Sequence, residues 1–178
     1  VAKGAMLSHG NMVANVLQSN EWIESSFLQG RGTLITALPL YHIFALTANC
    51  LLFLRLGWRN ILIVNPRDFP AFVKEPKRYP FQFISGVNTL FNALLHTPGF
   101  DKLDFSTLRV TLGGGMAVQE TVAKRWKAVT GKVLTQAWGL TETSPAACIN
   151  IPNVDFNGSI GLPISSTDIS IRDDAGAE

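Results

Sequence analysis

Charge is what this sequence has least of. Only 16% of its 178 residues are Asp, Glu, Lys or Arg, against 47% apolar, and the formal net charge is +2. So small an excess offers neither a basic footprint for nucleic acid nor a field for an acidic partner. So little charge also suggests surfaces that further chain would cover. Cysteine is scarce too: Cys50 and Cys148 have no ligand spacing and no neighbouring His or Cys, so two reduced thiols of a cytoplasmic protein are expected. Long hydrophobic runs are missing. The longest, Ile43 to Leu54, contains Thr47 and Asn49 and falls well short of the ~20 residues that span a bilayer, so it reads as a buried helix. There is no Gly-Lys-Thr or Gly-Lys-Ser, which disfavours a P-loop hydrolase. Val118 stands where a dinucleotide fingerprint starting at Gly113 needs its last glycine, and no acid follows at the ribose position, which disfavours a nicotinamide enzyme.

What is present alternates. Ser8 can cap a helix whose apolar positions Met12, Val13, Val16, Leu17 and Ile23 recur at helical steps, and Gly32 to Leu38 follows as a strand. Ile43 to Leu56 predicts the next helix, with Gly57 as its stop. Short apolar runs recur at Ile61 to Val64, Phe81 to Ile84, Leu108 to Leu112 and Val133 to Ala137, the look of strands buried on both faces. Val118, Val122, Trp126 and Val129 line one helix face, Glu120 and Lys124 pair outside it, and Gly131 ends it. With no low-complexity linker and no repeat, the expectation is an α/β fold, a largely parallel sheet with helices on both faces. Ligands of such sheets bind beyond the carboxyl ends of the strands.

The densest chemistry is Trp138-Gly139-Leu140-Thr141-Glu142-Thr143. A flat ring can stack on a base, a glycine admits close backbone approach, a hydroxyl can bond a phosphate oxygen, and a carboxylate suits Mg²⁺. The same residues are equally compatible with a plain strand-to-helix turn that Thr141 caps, with Glu142 in the first helical turn. Gly113, Gly114 and Gly115 after a buried strand fit either a flat ligand or an ordinary turn. His42 beside Tyr41 and Ile43 fits either a catalytic imidazole or a satisfied core residue, and Lys3 either a phosphate contact or a solvated side chain.

Taken in series, these segments resemble the adenylate-forming superfamily of acyl-CoA synthetases, luciferases and peptide synthetase adenylation domains. Val1-Ala2-Lys3-Gly4-Ala5-Met6-Leu7-Ser8-His9 is similar to the tail of its phosphate loop. Leu38-Pro39-Leu40-Tyr41-His42-Ile43-Phe44 resembles its His-containing segment, and Leu112-Gly113-Gly114-Gly115-Met116 its glycine-rich wall. The Trp138 hexapeptide matches its signature, where relatives usually carry tyrosine, and Gly158-Ser159-Ile160-Gly161-Leu162-Pro163 a later loop. Gly86-Val87-Asn88-Thr89-Leu90-Phe91 and Asn65-Pro66-Arg67-Asp68 narrow the resemblance to the bacterial long-chain fatty acid CoA ligases.

The resemblance implies a two-step reaction. A carboxylate attacks the α-phosphate of ATP to give an acyl-adenylate and pyrophosphate, and the thiol of coenzyme A then displaces AMP. It assigns His42, Thr141 and Glu142 to catalysis, Glu142 also to Mg²⁺, and Lys3, Gly113, Gly114, Gly115, Trp138, Gly139 and Thr141 to the nucleotide. Phe44, Leu46, Gly86, Val87, Leu90 and Phe91 would face the acyl chain, although ordinary core packing explains Phe44 and Leu46 almost as well. Trp138 keeps the stacking face of the usual tyrosine and loses its phenol. No Asp or Glu lies between Ser25 and Arg67, where amino-acid-activating relatives pair the substrate ammonium, so an uncharged acyl tail is expected. An aryl or medium-chain acid ligase and a non-catalytic nucleotide-binding module are the alternatives.

Residues 1–178 are expected to be an internal part of the N-terminal AMP-binding domain. The resemblance places the first half of the phosphate loop before Val1, and a ribose-binding aspartate and a mobile lysine-bearing domain after Glu178. Without them no turnover is expected. The parent enzyme is expected in the cytoplasm, and could touch a membrane surface peripherally because long-chain acids partition into bilayers. No basic amphipathic helix supports that contact.

Overall fold

The computed structural model describes residues 3–24 and 31–178, so Val1 and Ala2 of the expected phosphate-loop tail lie outside the described residues. Seven strands form one sheet in the order β2-β1-β3-β4-β5-β6-β7. The strands β1 (Thr33–Thr36), β2 (Arg59–Leu62), β3 (Phe83–Gly86), β4 (Val110–Gly113) and β5 (Leu134–Gly139) are parallel. β6 (Ala146–Ile149) and β7 (Leu162–Pro163) continue the sheet antiparallel. The expected α/β architecture is therefore present, with an antiparallel margin that the sequence pattern did not reveal.

Alternation along the strands divides the core into two layers. Leu34, Phe83, Val110 and Leu112 face one way and pack with Val16 and Ile23 of α1 (His9–Glu24) and with Leu52 and Phe53. Ile35, Ile84 and Leu134 face the other way, onto α6 (Asn88–Leu95) and α7 (Glu120–Thr130). Trp126 of α7 is fully buried. Its Nε1–H donates to Thr111 Oγ1 of β4 at 3.1 Å, and its ring meets Phe91 of α6 edge-on at 4.8 Å. Burial and a satisfied polar handle together lock α7 to the sheet. Gly131 closes that helix at φ +70°, a conformation a side chain would resist.

Several elements differ from the sequence pattern. The helix after His42 is not uniform: α2 (Ile43–Ala45) passes through a π-helical turn (Leu46–Leu51) into α3 (Leu52–Arg55). The short helices α4 (Phe69–Phe72) and α5 (Lys74–Arg78), and all of α6, were not expected. In α1, Ser8 caps as expected, with Oγ accepting from the Asn11 N–H at 3.1 Å. The buried face is another matter, because Val13 and Leu17 are exposed while Asn15 and Ser19 are buried. The helix turns its polar residues inward, where the β5–β6 turn has backbone groups to satisfy. Among the described residues no helix is long and apolar enough to cross a membrane, and Ile43–Arg55 is core structure.

Candidate active site

Three of the expected segments leave the carboxyl ends of parallel strands on the same side of the sheet. The His42 segment follows β1, Gly113–Gly115 ends β4, and Trp138–Thr143 leaves β5 through a 3₁₀ turn (Thr141–Thr143). Between the ends of these strands, α1 and the π-helical turn lies a cavity of about 230 Å³. His42, Phe44, Gly114, Gly115, Trp138, Gly139 and Thr141 all line it, so seven expected site residues converge from three stretches of chain. Its inner wall is apolar, formed by Ile23, Leu52, Phe83, Val110, Leu112 and Ile149. Its mouth carries an aromatic plane, a ring nitrogen and a hydroxyl.

His42 is the N-cap of α2, and its Nδ1 accepts the Phe44 N–H at 3.2 Å. That bond leaves the proton of the neutral ring on Nε2, a donor available at the cavity. Phe44 is buried against the glycine wall: a Cβ on Gly114 would meet its ring at 3.2 Å. Gly115 has φ +74°. The other glycines have reasons inside the fold. A Cβ on Gly113 would strike Val118, one on Gly86 would strike Leu90, and Pro145 backbone fills the Cβ position of Gly139.

Trp138 is partly exposed at the mouth and pairs in register with Cys148 of β6, whose thiol burial pushes up. The Leu140 N–H donates to Thr143 Oγ1 at 2.8 Å, so Thr143 is the residue that closes the turn, and Thr141 does not cap it. Among the described residues the Thr141 hydroxyl and the Glu142 carboxylate make no side-chain hydrogen bond or ion pair and stand in reach of a ligand. Glu142 does not line the main cavity. It faces an adjoining hollow of about 270 Å³ beside Asn11, Gln18, Thr143 and Thr167. Among the described residues no three His, Cys, Asp or Glu side chains cluster. A single carboxylate suits Mg²⁺ that draws its other ligands from phosphates and water.

Other expected residues lie elsewhere. Leu90 and Phe91 belong to the core under the opposite face of the sheet and do not line the cavity; the Phe91 ring meets Trp126 there. Gly113, Gly86, Val87 and Leu46 do not line it either, although Val87 backs Gly115 at 3.5 Å from the position of a Cβ. Lys3 is exposed and lines neither hollow.

Three buried polar residues outside the expected set, Asn15, Thr47 and Asn49, hold the site together. Asn49 in the π-helical turn donates to Thr36 Oγ1 at 2.9 Å and accepts from Ser85 Oγ at 2.8 Å, which pins the His42 segment to the carboxyl ends of β1 and β3. Thr47 Oγ1 donates to the Ser144 carbonyl at 3.3 Å, and Asn15 bonds Ala146 backbone. Thr47 and Asn49 were visible as polar breaks in an apolar run, and that was the signal for them. π-Helical turns commonly sit at functional sites because they re-aim side chains in this way.

A parallel sheet with a cavity beyond its strand ends, walled by a glycine turn and an aromatic, is the arrangement of an α/β ligand-binding domain. The chain belongs to the AMP-binding enzyme family, whose model matches residues 1–178. It is 56% identical over 177 residues to the long-chain-fatty-acid–CoA ligase of Yersinia pestis, and 54% identical over 184 residues to that of Haemophilus influenzae. These alignments cover 99% and 100% of this chain and 32% of each relative. The chain thus spans about a third of the curated relatives it matches. The crystal structure of the anthranilate CoA ligase AuaEII in complex with anthranoyl-AMP superimposes with a TM-score of 0.86 at 20% identity, over 98% of this chain and 34% of that one. At that identity the likeness speaks for the fold.

Proposed function

We propose that these residues form the central part of the adenylating domain of a long-chain fatty acid CoA ligase. One observation carries the reading: a cavity with an apolar inner wall opens at His42, Thr141 and Trp138, so that an acyl tail can lie inside while its carboxylate meets a nucleotide at the mouth. The relatives at 56% and 54% identity, named as long-chain-fatty-acid–CoA ligases, support the substrate class.

In this reading the adenine stacks on Trp138, the glycine wall accepts the flat ligand edge, and Thr141 bonds an α-phosphate oxygen. The Nε2–H of His42 holds the attacking carboxylate oxygen in line and stabilises charge at phosphorus, so the rate comes from positioning and charge neutralisation without a protein nucleophile. Mg²⁺, when bound by Glu142 and phosphate oxygens, neutralises charge on the polyphosphate. Coenzyme A then takes the acyl group. Phe44 and Leu112 flank the acyl tail, while Leu90 and Phe91 serve the core. Lys3 is assigned to phosphate charge, acting with residues outside 1–178. The full-length protein works in the cytoplasm and meets bilayers peripherally where its acid partitions. Residues 1–178 alone are expected to be inactive.

The cavity volume favours a second reading. About 230 Å³ lies below the ~300–1,000 Å³ usual for drug-sized ligands, which suits an aryl or medium-chain acid. Acid-dependent exchange of labelled pyrophosphate into ATP by the full-length protein separates the two. Exchange strongest with long fatty acids and lost in Glu142→Ala supports the first, and exchange confined to aryl or medium-chain acids supports the second. No exchange with any acid would overturn both.

A further inference from the structure

Asparagine is an indifferent helix former, yet Asn15 sits in the middle of α1 and is buried, while nearby Val13 and Leu17 face solvent. A buried carboxamide needs partners, and the backbone groups that Asn15 bonds lie 128 and 131 residues away. Its Nδ2 donates to the Ala146 carbonyl at 2.8 Å and to the Thr143 carbonyl at 3.3 Å, and its Oδ1 accepts the Ala146 N–H at 3.1 Å. The side chain therefore bonds both backbone groups of Ala146, as a neighbouring strand would, at the point where β6 begins. It also stands between the two hollows: Asn15 lines the cavity that Thr141 lines and the hollow that Glu142 lines.

A second anchor reaches the same turn from another element. Thr47, fully buried in the π-helical turn behind His42, donates to the Ser144 carbonyl at 3.3 Å. Thr143, Ser144 and Ala146 are thus held by α1 on one side and by the His42 segment on the other. Thr141 and Glu142, with no side-chain partners of their own among the described residues, take their places from this turn.

We propose that Asn15 is a positioning residue for the adenylating step: it fixes the Thr143–Ala146 backbone so that Glu142 presents its carboxylate to the metal and Thr141 its hydroxyl to the phosphate. Thr47 supports the same turn. The proposal rests on the ligase reading above. Loss of Asn15 should loosen the turn, so that Glu142 meets Mg²⁺ in many arrangements, while the apolar acyl wall, built from other residues, stays as it is.

The test pairs the Mg²⁺ dependence of acid-dependent pyrophosphate exchange with direct binding of Mn²⁺, read by electron paramagnetic resonance in the presence of a non-hydrolysable ATP analogue and expected to weaken in step with the exchange midpoint, in the full-length protein with Asn15→Ala, the near-isosteric Thr47→Val and, as a control on the far side of the sheet, Val122→Ala. Asn15→Ala should raise the Mg²⁺ concentration for half-maximal exchange at least fivefold and lower the maximal rate at least tenfold, with KM for the fatty acid within twofold of the original. Thr47→Val should shift Mg²⁺ dependence the same way by about twofold, which keeps the proposal testable if Asn15→Ala does not fold. Val122→Ala, which perturbs stability alone, should leave the Mg²⁺ midpoint in place. Exchange with an unchanged Mg²⁺ midpoint in folded Asn15→Ala, or in Thr47→Val if Asn15→Ala does not fold, would overturn the positioning role and leave the ligase reading standing. No exchange by the unmodified protein would overturn both.

Discussion

The carbonyl oxygen of Pro145 occupies the space where a Cβ on Gly139 would stand. The β5–β6 register slips at the same point, between Trp138 and Gly139, so the signature turn closes backbone against backbone. A side chain there has no flexible neighbour to displace. Gly139→Ala is expected to cost at least the upper end of the ~1–3 kcal/mol typical of overpacked sites, read as a lowered urea midpoint with unchanged slope. A midpoint equal to that of the unmodified protein would contradict the close approach.

Asn49 joins Thr36 and Ser85 in a buried polar triad. Asn49→Leu leaves two buried hydroxyls unpaired, at ~1–3 kcal/mol each. Replacing all three groups, as Asn49→Leu with Thr36→Val and Ser85→Ala, should recover most of that loss, since removing every partner is close to neutral. Urea unfolding of the single and triple variants decides it, and a triple variant less stable than the single would refute the pairing.

Much of this was legible in the sequence. Short apolar runs gave the parallel strands within about two residues, and the chemistry-bearing segments fell at their carboxyl ends as an α/β fold requires. The pattern could not reveal the antiparallel β6 and β7, because Ala146–Ile149 is as apolar as its parallel neighbours and direction is set by the tight Leu140–Pro145 turn. Helix α6 is marked by Leu90, Phe91, Leu94 and Leu95 at helical spacing, but at eight residues it is barely two turns long and its pattern is short. Leu90 and Phe91, expected at the acyl wall, lie in the core, where the Phe91 ring meets Trp126 of α7. Asn15 is hidden for a different reason: the backbone groups it bonds are 128 and 131 residues away, and no periodicity records them.

Phe44 and Gly114 set the width of the cavity together. A Cβ on Gly114 would meet the Phe44 ring at 3.2 Å, so Gly114→Ala should push the ring into the cavity. One methylene of lost room is worth ~1–3 kcal/mol in discrimination. The ratio of kcat/KM for long over medium-chain acids in the full-length protein should therefore fall at least tenfold, and adding Phe44→Leu should restore part of it. An unchanged ratio would remove Phe44 from the acyl wall.

Burial holds the Cys148 thiol above its ordinary value, whereas Cys50 is only half-buried. The folded chain keeps the Cys148 proton where an unfolded chain would release it. That contribution to stability is complete below the ordinary thiol pKa of ~8.5 and is lost as pH rises beyond it. At pH 8 a thiol reagent should modify Cys50 at least tenfold faster than Cys148, followed by mass spectrometry of the digested protein. Equal rates would show that β6 opens readily.

The central claim is that the cavity beside Phe44 takes the acyl tail while Trp138, Thr141 and His42 receive the adenylate at its mouth. A crystal structure of the full-length protein with a non-hydrolysable acyl-sulfamoyl adenosine tests it most directly. The account predicts adenine against the Trp138 ring, the sulfamoyl group within hydrogen-bond distance of Thr141 and of His42 Nε2, and the alkyl chain entering between Phe44 and Leu112. An acyl chain lying outside this cavity, or an adenine away from Trp138, would contradict it.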